Sequence, residues 1–194
     1  MTPSQRPRLA IRRLTLDRWA DFERLFGPRG ACGGCWCMWW RLTRSEFERR
    51  KGPGNKRAMK ALVRQGVVPG LVAYLGPDPV GWVAVAPRES FSALARSRVL
   101  CPVDAEPVWS IVCFFIAKTQ RRQGLSTLLL EAAVGHVKRQ GGRIVEGYPV
   151  EPKEGRTADV FAYTGLASAF RRAGFREVAR RSPTRPIMRR SVAP

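Results

Sequence analysis

The spacing of apolar residues changes period several times along the chain, and each change marks an element. Arg8 to Leu14 reads as a strand. Thr15 or Asp17 can cap a helix running to about Phe26, because Trp19, Phe22, Leu25 and Phe26 recur at helical spacing. A Gly/Cys/Trp segment, Gly30 to Trp40, follows. Asn55 to Gln65 reads as a second helix, closed by Gly66. Leu71 to Leu75 and Pro79 to Ala86 read as strands, joined by the turn Gly76-Pro77-Asp78. Arg88 to Glu106 reads as a loop with one short helical turn. Pro107 to Ala117 carries no charge, so it predicts a strand buried on both faces and therefore central. A helix from about Arg122 to Arg139 presents Leu125, Leu128, Leu129, Ala132, Ala133 and Val137 on one face, and Gly141-Gly142 stop it. Arg143 to Val150 is a strand. Thr164 caps a helix of Leu166 to Ala173, ended by Gly174, and Phe175 to Arg190 suits two short strands around Ser182-Pro183-Thr184. With no repeat and no linker, a single domain over 1–194 is expected. Its class is mixed α/β, with a strand–helix–strand unit at the centre.

Composition narrows the class of protein. Of 194 residues, 44% are hydrophobic and 26% charged, which excludes wholesale disorder. No uncharged apolar stretch, Pro107 to Ala117 included, is long enough to span a bilayer. Met1 to Arg6 has no apolar signal core, so a cytoplasmic location is expected. Charge is the outlier: 35 basic residues against 15 acidic give a net +20, which invites a polyanion such as nucleic acid. Arginine dominates over lysine, however, as a GC-rich genome also produces. No zinc finger, helix-turn-helix or RNP-type motif accompanies the charge. The five cysteines are odd in number and are expected to be reduced thiols.

The chemistry concentrates after the central strand. Ile116 is followed by Ala117-Lys118-Thr119-Gln120-Arg121-Arg122-Gln123-Gly124-Leu125-Ser126-Thr127 and then the amphipathic helix. A strand that passes through a basic, glycine-containing turn into a helix builds an anion site. The first helical amides lack intrachain partners, and the helix dipole adds partial positive charge. Gly124 has no side chain to keep a phosphate from the backbone. The segment is neither a Walker loop nor a GxGxxG dinucleotide motif.

Arg121-x-x-Gly124-x-Ser126 after an apolar strand resembles the acetyl-CoA motif of the GNAT superfamily of N-acetyltransferases, whose pattern is Gln/Arg-x-x-Gly-x-Gly/Ala. Ala169-Phe170-Arg171-Arg172-Ala173-Gly174-Phe175 is similar to the family's late helix ending in Gly-Phe. The resemblance covers about Leu71 to Val178. It implies a central, mostly antiparallel sheet with a splayed parallel strand pair and flanking helices. It also implies acetyl-CoA as co-substrate, with Phe114 and Ile116 along the pantetheine arm and Arg121, Arg122, Gln123, Gly124, Leu125, Ser126 and Thr127 at the pyrophosphate. Three positions depart from the pattern. Ser126 replaces Gly/Ala. Phe170 stands where many members carry a tyrosine that protonates the leaving thiolate. Ser110 stands where some carry a catalytic glutamate.

The acid and base therefore need other residues. Tyr163, at the start of the same late helix, is the candidate acid. A carboxylate would help deprotonate an ammonium acceptor. Glu146, sharing a strand face with Ile144 and Tyr148, is the first choice as base. Glu89, after the strand that pairs with the start of the central strand, is the second. The Gly30–Trp40 region borders the acceptor pocket in GNAT proteins, so Trp36, Trp39 and Trp40 are expected to shape a pocket for an apolar or cationic acceptor. Cys32, Cys35 and Cys37 lack a fourth ligand partner, and no metal is expected. His136 reads as a packed core histidine. The expected function is transfer of acetyl from acetyl-CoA to a primary amine on a small molecule or peptide, with a homodimer compatible. The rivals are a silent CoA-binding sensor and a basic nucleic-acid-binding module.

Overall fold

The computed structural model describes residues 8–152 and 162–192. Met1 to Arg6, read above for an export signal, lies outside them. Seven strands form one sheet: β1 (Leu9–Arg13), β2 (Gly70–Leu75), β3 (Asp78–Pro87), β4 (Trp109–Ile116), β5 (Ile144–Gly147), β6 (Arg176–Arg180) and β7 (Pro186–Ser191). Their order is β1-β2-β3-β4-β5-β7-β6, so the uncharged β4 is indeed central. Every pair is antiparallel except β4–β5, which is parallel. Parallel neighbours require a crossover, and here it is α5 (Leu125–Arg139).

Helices cover both faces. On one lie α1 (Trp19–Phe26), α2 (Arg44–Arg50), α3 (Pro53–Arg64), the short α4 (Ser92–Ala95) and the Gly/Cys/Trp segment. They pack around Phe22, Phe26, Trp36, Trp82 and Val112. On the other lie α5 and α6 (Ala167–Arg172), packed around Ile111, Phe114, Leu129, Val137 and Phe170.

Several boundaries differ from the sequence reading, each for a local reason. The central helix starts at Leu125 rather than Arg122, because Arg122 (φ 60) and Gly124 (φ 79) are left-handed and cannot enter an α-helix. Its buried arc centres on Ala133, which leaves Leu128 outside it and 41% exposed. β5 ends at Gly147, where its pairing with β4 also ends. Thr164 does not cap α6; its buried hydroxyl accepts from Arg185 instead, at 2.8 Å. Thr15 likewise makes no side-chain cap; its hydroxyl accepts from Arg18 at 2.7 Å. The helix α2 was not expected. Thr43 and Glu46 form a reciprocal capping box at its start, and only Phe47 along it is buried.

Arginine side chains fasten the segment 96–108. Arg181 donates to the carbonyls of Cys101 (2.7 Å) and Pro102 (3.1 Å), and Arg88 donates to that of Leu100. Arg189 grips Asp104 through both terminal nitrogens.

Candidate active site

The site is built where β4 leaves β5. Their pairing runs Trp109↔Val145, Ser110↔Glu146, Ile111↔Gly147 and then stops, while β4 continues to Ile116. At the same point β4 carries one extra residue against β3. Ala84 opposes Cys113 and Val85 opposes Ile111, so Val112 has no partner. This is a β-bulge. It breaks the alternation of side chains: Val112 and Cys113 both face the α1 side, and from Phe114 onward the strand resumes with Phe114 and Ile116 on the α5 side. A bulge beside a strand separation leaves backbone amides and an open strand edge in one place.

The turn after β4 leads directly into α5. Lys118–Gln120 form a single 3-10 turn, and Arg121 is extended, its Nε donating to the Ile116 carbonyl at 3.1 Å. The left-handed residues Arg122 and Gly124 then turn the backbone into the helix. None of the amides of Arg122, Gln123, Gly124, Leu125 and Ser126 donates to a described backbone carbonyl, whereas that of Thr127 reaches the Gly124 carbonyl at 2.9 Å. The Thr127 hydroxyl is enclosed without a partner. A side chain added at Gly124 would meet no atom within 4 Å. Unengaged amides, an orphaned hydroxyl, a helix N-terminus and open space above a glycine suit a diphosphate. Of the expected loop residues, Leu125 is the exception, because its side chain is buried against β3. It offers only its amide.

The expected catalytic residues fare unequally. Glu146 is 1% exposed, and both its carboxylate oxygens are engaged: Oε1 accepts from Arg88 (3.0 Å) and Tyr148 (2.6 Å), and Oε2 from Arg189 (2.7 Å). The Tyr148 hydroxyl also shares a hydrogen with Ser110 Oγ at 2.8 Å, so the two residues opposite each other across β4–β5 join one buried network. Three of the carboxylate's roughly four acceptor positions are thus taken, and two of the donors are arginines. The buried ion pairs give Glu146 a structural part that its strand position alone did not show. Burial, with the Glu146 charge beside it, holds the Tyr148 phenol far above its usual range, so Tyr148 stays protonated. Glu89 is exposed in the 3-10 turn after β3. It lies two residues after Pro87, which opposes Trp109 at the start of β4, three residues or roughly 10 Å of strand before Val112.

Tyr163 is better placed. It sits half-buried in the 3-10 turn Ala162–Thr164, which packs on β4. Burial pushes its phenol up to about 12, with Arg185 opposing the rise and Cys113 adding to it. Phe170 is fully buried. A Cβ on Gly147 or Gly165 would strike its ring, at 2.2 and 2.8 Å, so the ring fills a slot that only glycines leave open.

The three tryptophans separate. Trp36 is 3% exposed, stacked on Phe26 with Lys56 already over its face. It is a core residue and cannot line a pocket, contrary to expectation. Trp39 is 39% exposed and meets Phe47 edge-on. Trp40 keeps an enclosed indole N–H without an acceptor, and so does Nη2 of its neighbour Arg41. Among the described residues, no group of three or more His, Cys, Asp or Glu is arranged to hold a metal.

His136 is buried edge-on to Trp109, away from this site. Burial, with Arg139 and Arg13 nearby, holds its imidazole below the usual 6.5. Unfolding therefore takes up a proton below that pH. Stability is expected to be insensitive to His136 above about pH 7 and to fall as pH drops through about 6.5, by at most about 1.4 kcal/mol per unit. Melting temperatures of wild type and His136→Phe between about pH 5 and 7.5 check this: the variant should lose that component.

Sequence and structure comparisons agree with this fold. Residues 36–154, more than half of the chain, match the model of the acetyltransferase (GNAT) family. The chain belongs to that family, whose chemistry is acetyl transfer from acetyl-CoA. Among curated proteins, the sequence gives no match. Solved structures share the fold at low identity. A GNAT-family structure from Desulfovibrio desulfuricans superposes with a TM-score of 0.55 at 19% identity, over 96% of this chain and 100% of that one. PaiA N-acetyltransferase from Thermoplasma acidophilum, in complex with coenzyme A, gives 0.53 at 12%, over 95% and 99%. YncA from Salmonella typhimurium, with its cofactor acetyl-CoA, gives 0.53 at 13%, over 95% and 94%. No helix of the described residues is long and apolar enough to cross a membrane.

Proposed function

We propose that this chain, acting as one domain over 1–194, transfers acetyl from acetyl-CoA to a primary amine by direct attack of the amine on the thioester. The observation that carries the reading is the continuity of the unengaged amides around Gly124 with the open edge of β4 beyond the Val112 bulge. The thioester supplies an activated acyl group. The amides of Arg122 to Ser126 bind the diphosphate, and the Thr127 hydroxyl adds a donor. Phe114 and Ile116 line the path on the α5 side. The backbone of the Val112 bulge lies where an N–H can meet the negative charge that develops on the carbonyl oxygen.

Tyr163 stays protonated at neutral pH and holds a proton for the departing thiolate. With Glu146 clamped, the amine loses its proton to solvent water. Trp39 and Trp40 flank the acceptor side. The identity of the amine is a matter for experiment: CoA release is followed with acetyl-CoA and a panel of antibiotics, polyamines, amino acids and peptide N-termini. Release with at least one amine is expected. Acetyl-CoA binding without release from any of them would favour the silent sensor, a reading that the buried Phe170 and the engaged Glu146 also support. Tyr163→Phe should lower kcat on the order of a hundredfold while leaving acetyl-CoA affinity within about twofold. Equal loss of both would make it a packing residue.

A further inference from the structure

The reaction proposed above uses no cysteine, yet two of the five meet at the bulge. Cys113 is the residue at which β4 reverses its alternation, and its side chain faces the α1 side. Cys37, 4% exposed, comes to the same place from the Gly/Cys/Trp segment: both residues join the cluster around Trp82, and Cys113 opposes Ala84 next to the Trp82–Phe115 pair on that face. The Trp82 indole N–H also donates to the Cys37 sulfur, at 3.2 Å. The backbone is forced to bring Cys37 there. Trp36 (φ 42) and Cys37 (φ 57) are consecutive non-glycine residues in the left-handed region. Such strain persists only where the surroundings over-determine it. Asn55 holds the preceding loop by donating to the Gly34 carbonyl at 3.1 Å.

We propose that Cys37 and Cys113 are a modification site: a dithiol that a hydroperoxide converts to a disulfide, tying the Gly/Cys/Trp segment to the bulge of β4. The Cys113 hydrogen bond, followed by the Trp82 N–H and the charge of Arg41, draws the Cys37 thiol below its ordinary range against the effect of burial. That makes Cys37 the nucleophile and Cys113 the resolving thiol. The Cys37 sulfur attacks the terminal peroxide oxygen and the O–O bond breaks. The leaving oxygen takes the thiol's proton, leaving a sulfenic acid. The Cys113 sulfur then attacks the Cys37 sulfur, and the S–O bond breaks. The hydroxyl departs as water with the Cys113 proton. Two thiols and one hydrogen peroxide thus give one disulfide and two waters. Cys113 is the less buried residue of the pair, so the oxidant reaches the site from its side.

The effect on turnover rests on the function proposed above, because the bond would fix the backbone that orients the thioester. The bond itself does not depend on that reading. The full-length protein is titrated with hydrogen peroxide, alkylated without reductant, digested and analysed by mass spectrometry. A peptide pair linking Cys37 to Cys113 is expected, lighter by two hydrogens and released by dithiothreitol. Because Cys37→Ser changes a strained position, the second arm uses Cys113→Ser. Oxidation there should stop at a sulfenic acid on Cys37 that dimedone traps. Preferential modification of Cys32 or Cys101, or a Cys32–Cys35 link with Cys37 and Cys113 still alkylatable, overturns the proposal. If an acceptor is in hand, oxidation should lower turnover on the order of a hundredfold, reversibly. A reduced protein inactive with every amine sinks the catalytic reading, while the peptide map still decides the dithiol. An oxidised, mapped protein with undiminished turnover overturns the link between bond and activity.

Discussion

Gly124→Asp is expected to weaken acetyl-CoA binding by at least about a hundredfold. The aspartate would set a carboxylate beside the amides that receive the diphosphate, and like charges in contact cost several kcal/mol. At about 1.4 kcal/mol per decade, that range covers two decades or more. The fold itself should tolerate the change better than most glycine substitutions. A Cβ at this position meets nothing within 4 Å, so the cost is that of a left-handed residue, about 1–2 kcal/mol. Gly124→Ala carries the same backbone cost without the charge and serves as the control. Thermal shift and calorimetry with acetyl-CoA separate the two. An undiminished shift for the aspartate variant would show that the diphosphate does not sit here.

Glu146→Ala is expected to be the most destabilising single change, at about 3–5 kcal/mol, because removing one partner of a buried ion pair leaves the other charge uncompensated. Here two arginines lose their carboxylate: Arg88, 14% exposed, and Arg189, 11% exposed. Arg189 would retain Asp104, which places the expected value toward the lower end. For a chain of this size the melting temperature should fall by roughly 6–15 °C. Glu146→Gln should destabilise less and, with a working amine, should keep the wild-type rise of rate with pH. Loss of that acidic limb would reinstate Glu146 as the base.

The elements with strong periodicity were legible in the chain, and so was the anion loop, because strand, turn and helix each carry a local signature there. The centrality of β4 followed from its lack of charge. What escaped the reading depends on contacts distant in sequence. Glu146 looked like a base from its strand position alone. Its role is set by Arg88 and Arg189, 58 and 43 residues away. The same applies to Trp36, whose stacking on Phe26 and Lys56 turns a pocket residue into core. The bulge at Val112 was invisible because it is defined by β3, not by β4's own pattern. Only α2 was missed with its signal in plain view, since Thr43-x-x-Glu46 is a capping box in the sequence itself.

The net +20 takes on a different meaning once the arginines are seen at work. Arg88, Arg181 and Arg189 hold the segment 96–108 by its carbonyls and by Asp104, reaching across 80 residues of chain where Arg181 meets Cys101. Three of the 35 basic residues are thus rivets, two from the β6–β7 hairpin and one from the end of β3, into a long loop that has little regular structure of its own. Lysine at these positions would preserve the charge but not the planar fork that grips two acceptors at once. A tally of charge alone cannot tell such a fastener from a surface meant for a polyanion.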